Sequence, residues 1–204
     1  VFLFNFLNLL FFKKQKIYLQ KNSFYLKPNN LSKQKWKFNQ RKMGTMAYRD
    51  GLNARKEILQ KVYLLENITF ELNDTIIDCG ANNGDFYLCF NDSINYIGIE
   101  PSPSVFENLN HNIPNQKLIN KAVWKETKEK HEFFLSDDFG DSSMVKIKNY
   151  EKIINVKTCT LDNIISDLKK IKLVKIEAEG CEFEALLGLK ENINKVEYIV
   201  IDVG

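Results

Sequence analysis

Two short apolar runs in this chain each close on a carboxylate, 22 residues apart. The first is Thr75-Ile76-Ile77-Asp78 and the second Tyr96-Ile97-Gly98-Ile99-Glu100. Between them stands Gly80-Ala81-Asn82-Asn83-Gly84, a turn signal, and residues 85–90 open like a helix. Apolar runs this short, bounded by turns, fit strands covered on both faces. The alternation continues. Ile58, Leu59, Val62 and Leu65 mark one face of a helix over 54–66. Pro101 and Pro103 bracket a turn before a helix over 104–112, with Ser102 or Ser104 as its cap. Residues 117–124 read as a third strand, 132–135 as a further extended element, 136–150 as a polar loop and 156–159 as a short strand. Thr160 introduces a helix over 161–168. Residues 173–176 and 196–203 read as buried strands and 181–189 as a helix. Strands alternating with helices predict an α/β fold with a mainly parallel sheet and flanking crossover helices.

The charge divides the chain. Residues 1–49 carry 11 Lys and Arg and no acid, whereas 50–204 carry 18 basic and 26 acidic residues. This predicts a basic arm over 1–49, disordered or not native, joined to an acidic domain over 50–204. Residues 1–12 are strongly apolar but too few for a spanning helix. The basic and aromatic mixture after them admits a peripheral membrane contact or RNA binding through the arm. Met43 and Met46 are candidate starts. Cys79, Cys89, Cys159 and Cys181 lack C-x-x-C spacing and read as small hydrophobes in a reducing cytoplasm.

Ligands of open parallel sheets bind at the carboxyl ends of the strands. After the first strand, Gly80 and Gly84 allow a tight turn and a close approach of backbone to ligand. Glu100, after the second, can accept hydrogen bonds from ribose hydroxyls. A nicotinamide dinucleotide would want G-x-G-x-x-G, but Asn82 stands where the second glycine belongs. S-adenosylmethionine has no phosphate, and Asp78 offers an acceptor for its methionine ammonium. A plain turn is the competing reading of Gly80 and Gly84. A third cluster runs from Lys175 through Glu177, Glu179 and Glu182 to Glu184. Glu182 and Glu184 read as helix-start acids. Glu177 and Glu179, at the sheet edge, are candidates for a general base, a hydroxyl acceptor or a metal ligand, with Lys175 free to pair with one of them. His131 and His111 are weaker candidates for the base.

Taken together, IIDCGANNGDF (76–86), YIGIEPSPSVFENLNHNI (96–113), KAVW (121–124), Ser142-Ser143, TLDNII (160–165) and KIEAEGCEFEALLGL (175–189) resemble the FkbM-family methyltransferases, class I S-adenosylmethionine-dependent enzymes. The resemblance implies a Rossmann-like domain and cofactor binding by Asp78, Gly80, Ala81, Asn82, Gly84, Glu100 and Pro101. It implies O-methylation of a hydroxyl on a small molecule, sugar, glycolipid or polysaccharide. Catalysis is expected from Glu179 and Glu177 and substrate contacts from Ser142 and Ser143; metal dependence stays open. Glu177 stands where the family usually has Asp. A closing C-terminal hairpin is expected to be missing after residue 203. The rival readings are an RNA methyltransferase or RNA-binding protein using the arm, which the domain's acidity argues against, and an inactive truncated remnant.

Overall fold

The computed structural model describes residues 17–20, 23–27, 35–39, 41–90, 92–136, 142–148 and 150–203. The apolar run 1–12 and residues 137–141 of the polar loop lie outside them. Three antiparallel strands come first: β1 (Ile17–Gln20), β2 (Ser23–Leu26) and β3 (Trp36–Phe38). Helices α1 (Arg41–Ala47) and α2 (Leu52–Val62) follow.

The central sheet begins at β4 (Thr75–Cys79). It continues with β5 (Asn95–Ile99), helix α3 (Pro103–Asn112) and β6 (Lys117–Ile119). Then come β7 (Ala122–Val123), β8 (His131–Leu135), β9 (Lys152–Val156), β10 (Thr158–Cys159) and helix α4 (Leu161–Ile165). The chain returns to the sheet with β11 (Ile171–Ile176), helix α5 (Glu182–Leu187) and β12 (Val196–Ile201). Five strands pair in the order β12-β11-β4-β5-β6, all parallel. The chain winds one way from β4 and later the other way from β11. The crevice beyond the carboxyl ends of β4 and β11 is therefore the switch point, where such sheets bind ligands.

Strand alternation sorts the core into two layers. Ile76, Tyr96 and Leu173 face Leu59, Phe86 and Leu109 on one side. Ile77, Ile97 and Val174 face Leu161, Ile165 and Ala185 on the other. Burial on both faces is why these strands read as continuous apolar runs. A third cluster, with Phe133, Met144 and Cys181, sits under the β8–β9 hairpin and roofs the carboxyl edge of the sheet.

Several expected boundaries move. The expected strand over 117–124 is two, β6 and β7, broken at Asn120, whose side-chain amide donates to the carbonyls of Glu100 and Pro101 at 2.8 and 3.1 Å. Residues 85–89 form a 3-10 turn, not an α-helix. Ser102 is the N-cap of α3, yet its side chain makes no capping bond. Thr160 does cap α4, accepting the N–H of Asn163 at 3.1 Å.

The expectation of an unstructured arm fails for its described residues. Ile17, Trp36 and Phe38 are fully buried in the same core as Tyr96 and Leu109. Trp36 and Phe38 both pack against Tyr48. The amide of Asn112 clamps β3, accepting the Lys37 N–H at 2.8 Å and donating to its carbonyl at 2.9 Å. Alternating aromatics give this segment a buried face that its charge conceals. No helix among the described residues is long and apolar enough to cross a membrane.

Candidate active site

At the carboxyl end of β4 the chain must turn between its two neighbouring strands. Gly80 makes the turn at φ +77°, where a Cβ would stand 1.9 Å from the carbonyl oxygen of Glu177. Its N–H and that of Ala81 both donate to the Ile99 carbonyl, at 3.0 and 2.9 Å. Asn82 follows in the left-handed region, and its N–H donates to Glu100 Oε2 at 3.0 Å. The Ser102 N–H donates to Glu100 Oε1 at 2.9 Å. Both carboxylate oxygens are thus fixed by backbone, each with acceptor capacity left over. Burial pushes the Glu100 carboxyl up to about 7, against the pull of those two amides.

These residues line a cavity of about 310 Å³, within the usual size range of small-molecule sites. Gly80, Asn82, Glu100 and Pro101 form one wall, and Glu177, Glu179 and Ser142 another. Phe133, Met144 and Cys181 close the roof, and Ile99, Val105 and Val123 make an apolar slot near Glu100. Sequence reasoning missed Lys121 and the roof residues. The KAVW motif pointed at the strand end that carries Lys121. Nothing in the sequence placed Phe133 over the sheet.

Four expected site residues are not brought to the cavity. Asp78 is fully buried behind its wall. Its carboxylate pairs with Lys175 Nζ at 3.0 Å and accepts the Tyr96 hydroxyl. It is therefore not open to a methionine ammonium, because a strand residue cannot point both into the core and over the edge. Ala81 is buried and Gly84 faces Leu109 and Ile113 under α3. Ser143 pins the loop instead of lining the cavity: its hydroxyl donates to the Glu179 carbonyl at 2.6 Å. His131 packs on Trp124 and His111 approaches the Lys35 carbonyl, so neither histidine lines the cavity.

Lys175 organises the floor. Besides Asp78, its ammonium meets Glu177 Oε2 at 2.8 Å and donates to the Gly80 carbonyl at 3.0 Å. Burial works against the Lys175 charge, but Asp78 and Glu177 outweigh it and hold the group protonated. In the same way burial would raise Glu177, yet Lys175 holds its carboxyl below the usual range. Burial leaves Asp78 raised despite its partners. Glu179 and Gly180 both take positive φ at the turn after β11. Glu182 stabilises that turn, accepting the N–H groups of Ala178 and Gly180 at 2.8 and 3.2 Å. Among the described residues no group of three or more His, Cys, Asp or Glu is placed to hold a metal ion.

The strand order defines a doubly wound α/β protein, with a pinned carboxylate and a glycine turn beside the cavity at its switch point. Residues 78–204 match the methyltransferase FkbM domain, and the chain belongs to that family. It is 23% identical over 144 residues to the hexuronic acid methyltransferase AglP of Haloferax volcanii, which covers 65% of this chain and 57% of that protein. The chain thus spans little more than half the length of this curated relative. A solved S-adenosylmethionine-dependent methyltransferase from Agrobacterium tumefaciens aligns with 90% of this chain and 49% of its own, at a TM-score of 0.38 and 8% identity.

Proposed function

We propose that the chain binds S-adenosylmethionine and transfers its methyl group to a hydroxyl of a sugar, glycolipid, polysaccharide or related metabolite. The observation that carries the reading is Glu100: a buried carboxylate whose two oxygens are fixed by the Asn82 and Ser102 amides at the rim of a ligand-sized cavity. The residues present fit the cofactor. Gly80 lines the cavity and is held as glycine by the Glu177 carbonyl that a Cβ would meet, and Asn82 Oδ1 is buried with no hydrogen-bond partner among the described residues. Glu100 would hold the ribose, the slot of Ile99, Val105 and Val123 the base, and Asn82 with Glu177 the methionine end.

When bound, S-adenosylmethionine supplies an electrophilic methyl group on a sulfonium. Glu177, kept ionised by Lys175, is a weak base and a good hydrogen-bond acceptor. Its charge also favours a cationic ligand. Glu179 is the candidate base for the acceptor hydroxyl. Phe133 and Met144 line the cavity and would shield the reacting groups from water, and the turns after β4 and β11 would orient the two ligands. Asp78 acts indirectly, by holding Lys175. The likeness to a hexuronic acid methyltransferase supports a carbohydrate acceptor.

The test is incubation with methyl-labelled S-adenosylmethionine and a panel of uronic acids, glycans and glycolipids. An O-methyl signal in the product that Glu179→Gln removes, with cofactor binding kept, supports the reading. Full activity in Glu179→Gln removes Glu179 from the chemistry.

A further inference from the structure

We infer that Tyr63, at the end of α2, is a positioning residue that sets which oxygen of Glu177 faces the ligand. The inference rests on the reading above that Glu177 touches the ligand, and it extends the site to a helix outside it. The family match begins at residue 78, so Tyr63 lies outside the matched segment.

Tyr63 is the C-cap of α2, and its own N–H donates to the Leu59 carbonyl at 3.0 Å. Its ring stands edge-on to Phe86, with centroids 5.2 Å apart, and only 4% of the residue is exposed. From that fixed ring the hydroxyl donates to Glu177 Oε2 at 2.9 Å. Lys175 Nζ meets the same oxygen at 2.8 Å. Two donors fill the two lone pairs of Oε2. Oε1 has no donor among the described residues, while the Glu177 side chain is 36% exposed on the cavity wall. The carboxylate is therefore turned so that one oxygen belongs to the protein and the other to the ligand.

Lys175 alone does not fix this rotation. An ammonium is a compact charge with rotatable donors, and it also serves Asp78 and the Gly80 carbonyl. A phenol on a packed ring donates from an oxygen of fixed position and close to the ring plane. Burial raises the Tyr63 hydroxyl far above neutrality, so it stays a donor at every working pH. Arg55, also on α2, pairs with Asp85 at 2.5 Å and adds a further positive charge that favours ionised Glu177.

Tyr63→Phe keeps the ring and removes one O–H. Two readouts follow: carbon-13 titration of the Glu177 carboxyl, and steady-state methyl transfer alone and combined with Glu177→Gln. The expected result is an upward shift of the Glu177 midpoint by about one pH unit. With it goes a fall in kcat of about tenfold and a matching move of the acid limb of the rate profile. In the Glu177→Gln background the Tyr63→Phe effect disappears. A purely structural Tyr63 would lower the melting temperature and leave the Glu177 midpoint in place; that result overturns the inference. Should the wild-type chain transfer no methyl group while the midpoint still shifts, the functional reading falls and the placement of Glu177 by Tyr63 stands.

Discussion

Glu100 accepts the backbone N–H of Asn82 at 3.0 Å, so the turn after β4 is tied to the end of β5 through one buried carboxylate. Burial has moved that carboxyl up to about 7. Ribose hydroxyls donate to its ionised form, so binding and protonation compete. Cofactor affinity is expected to fall as the pH drops through 7, approaching tenfold per unit below it. Calorimetry between pH 6 and 8.5 reads this directly, and Glu100→Gln should flatten the profile. The sign for stability is opposite. A carboxyl whose folded value is raised contributes stability below its unfolded value, which is lost as the pH climbs through about 7. The ligand-free protein should therefore be more stable near pH 6 than near pH 8 as far as this group is concerned. An affinity independent of pH over this range would contradict the assignment.

Lys175→Met leaves Asp78 and Glu177 without their shared cation. Removing one partner of a buried ion pair costs about 3–5 kcal/mol, and the Lys175 and Asp78 side chains are only 3% and 0% exposed. Urea unfolding should show a loss of that size. Adding Asp78→Asn should recover part of it, because the orphaned charge is gone. A Lys175→Met protein of wild-type stability would show that the pair does not hold the floor.

Two glycines at positive φ should respond unequally to alanine. At Gly180 a Cβ meets nothing within 4 Å, so only the backbone penalty of about 1–2 kcal/mol applies. At Gly80 the Cβ collides with the Glu177 carbonyl, which is backbone and cannot swing aside. Gly80→Ala should lower the melting temperature far more than Gly180→Ala and also weaken cofactor binding, since Glu177 must move. Equal effects would refute the close approach of Gly80 to the Glu177 carbonyl.

The N-terminal sheet gives a stability prediction. Trp36 is 1% exposed against Tyr48, and truncating a buried tryptophan costs about 3–5 kcal/mol. Trp36→Ala should lower the urea midpoint accordingly. An unchanged midpoint would return residues 17–49 to the status of a loose arm.

That sheet was the least legible part of the sequence. The eleven Lys and Arg residues of 1–49 dominate the count around it, and the sheet's apolar positions 17, 24, 26, 36 and 38 are split between short strands. Local periodicity cannot recover a face assembled from separate strands. The central sheet was legible because β4, β5 and β11 are short and mostly apolar and are each followed at once by a glycine or a carboxylate, Gly80, Glu100 and Glu177. Glu100 and Gly80 could be placed from strand ends alone. Asp78 could not, because the same position two residues before a turn serves a core ion pair or a ligand equally well. The decision lay with Lys175 and Tyr96, 97 and 18 residues away. Ser143 was misplaced for a similar reason: its partner, the Glu179 carbonyl, is brought in by β11.

Calorimetric titration of S-adenosylmethionine into the wild-type chain and into Glu100→Ala tests the central claim most directly. The account predicts one site with a dissociation constant of roughly 1 µM to 1 mM, weakened at least about tenfold in Glu100→Ala by loss of the charged hydrogen-bond acceptor. Absence of binding to the folded wild-type chain, or equal binding by Glu100→Ala, would contradict it.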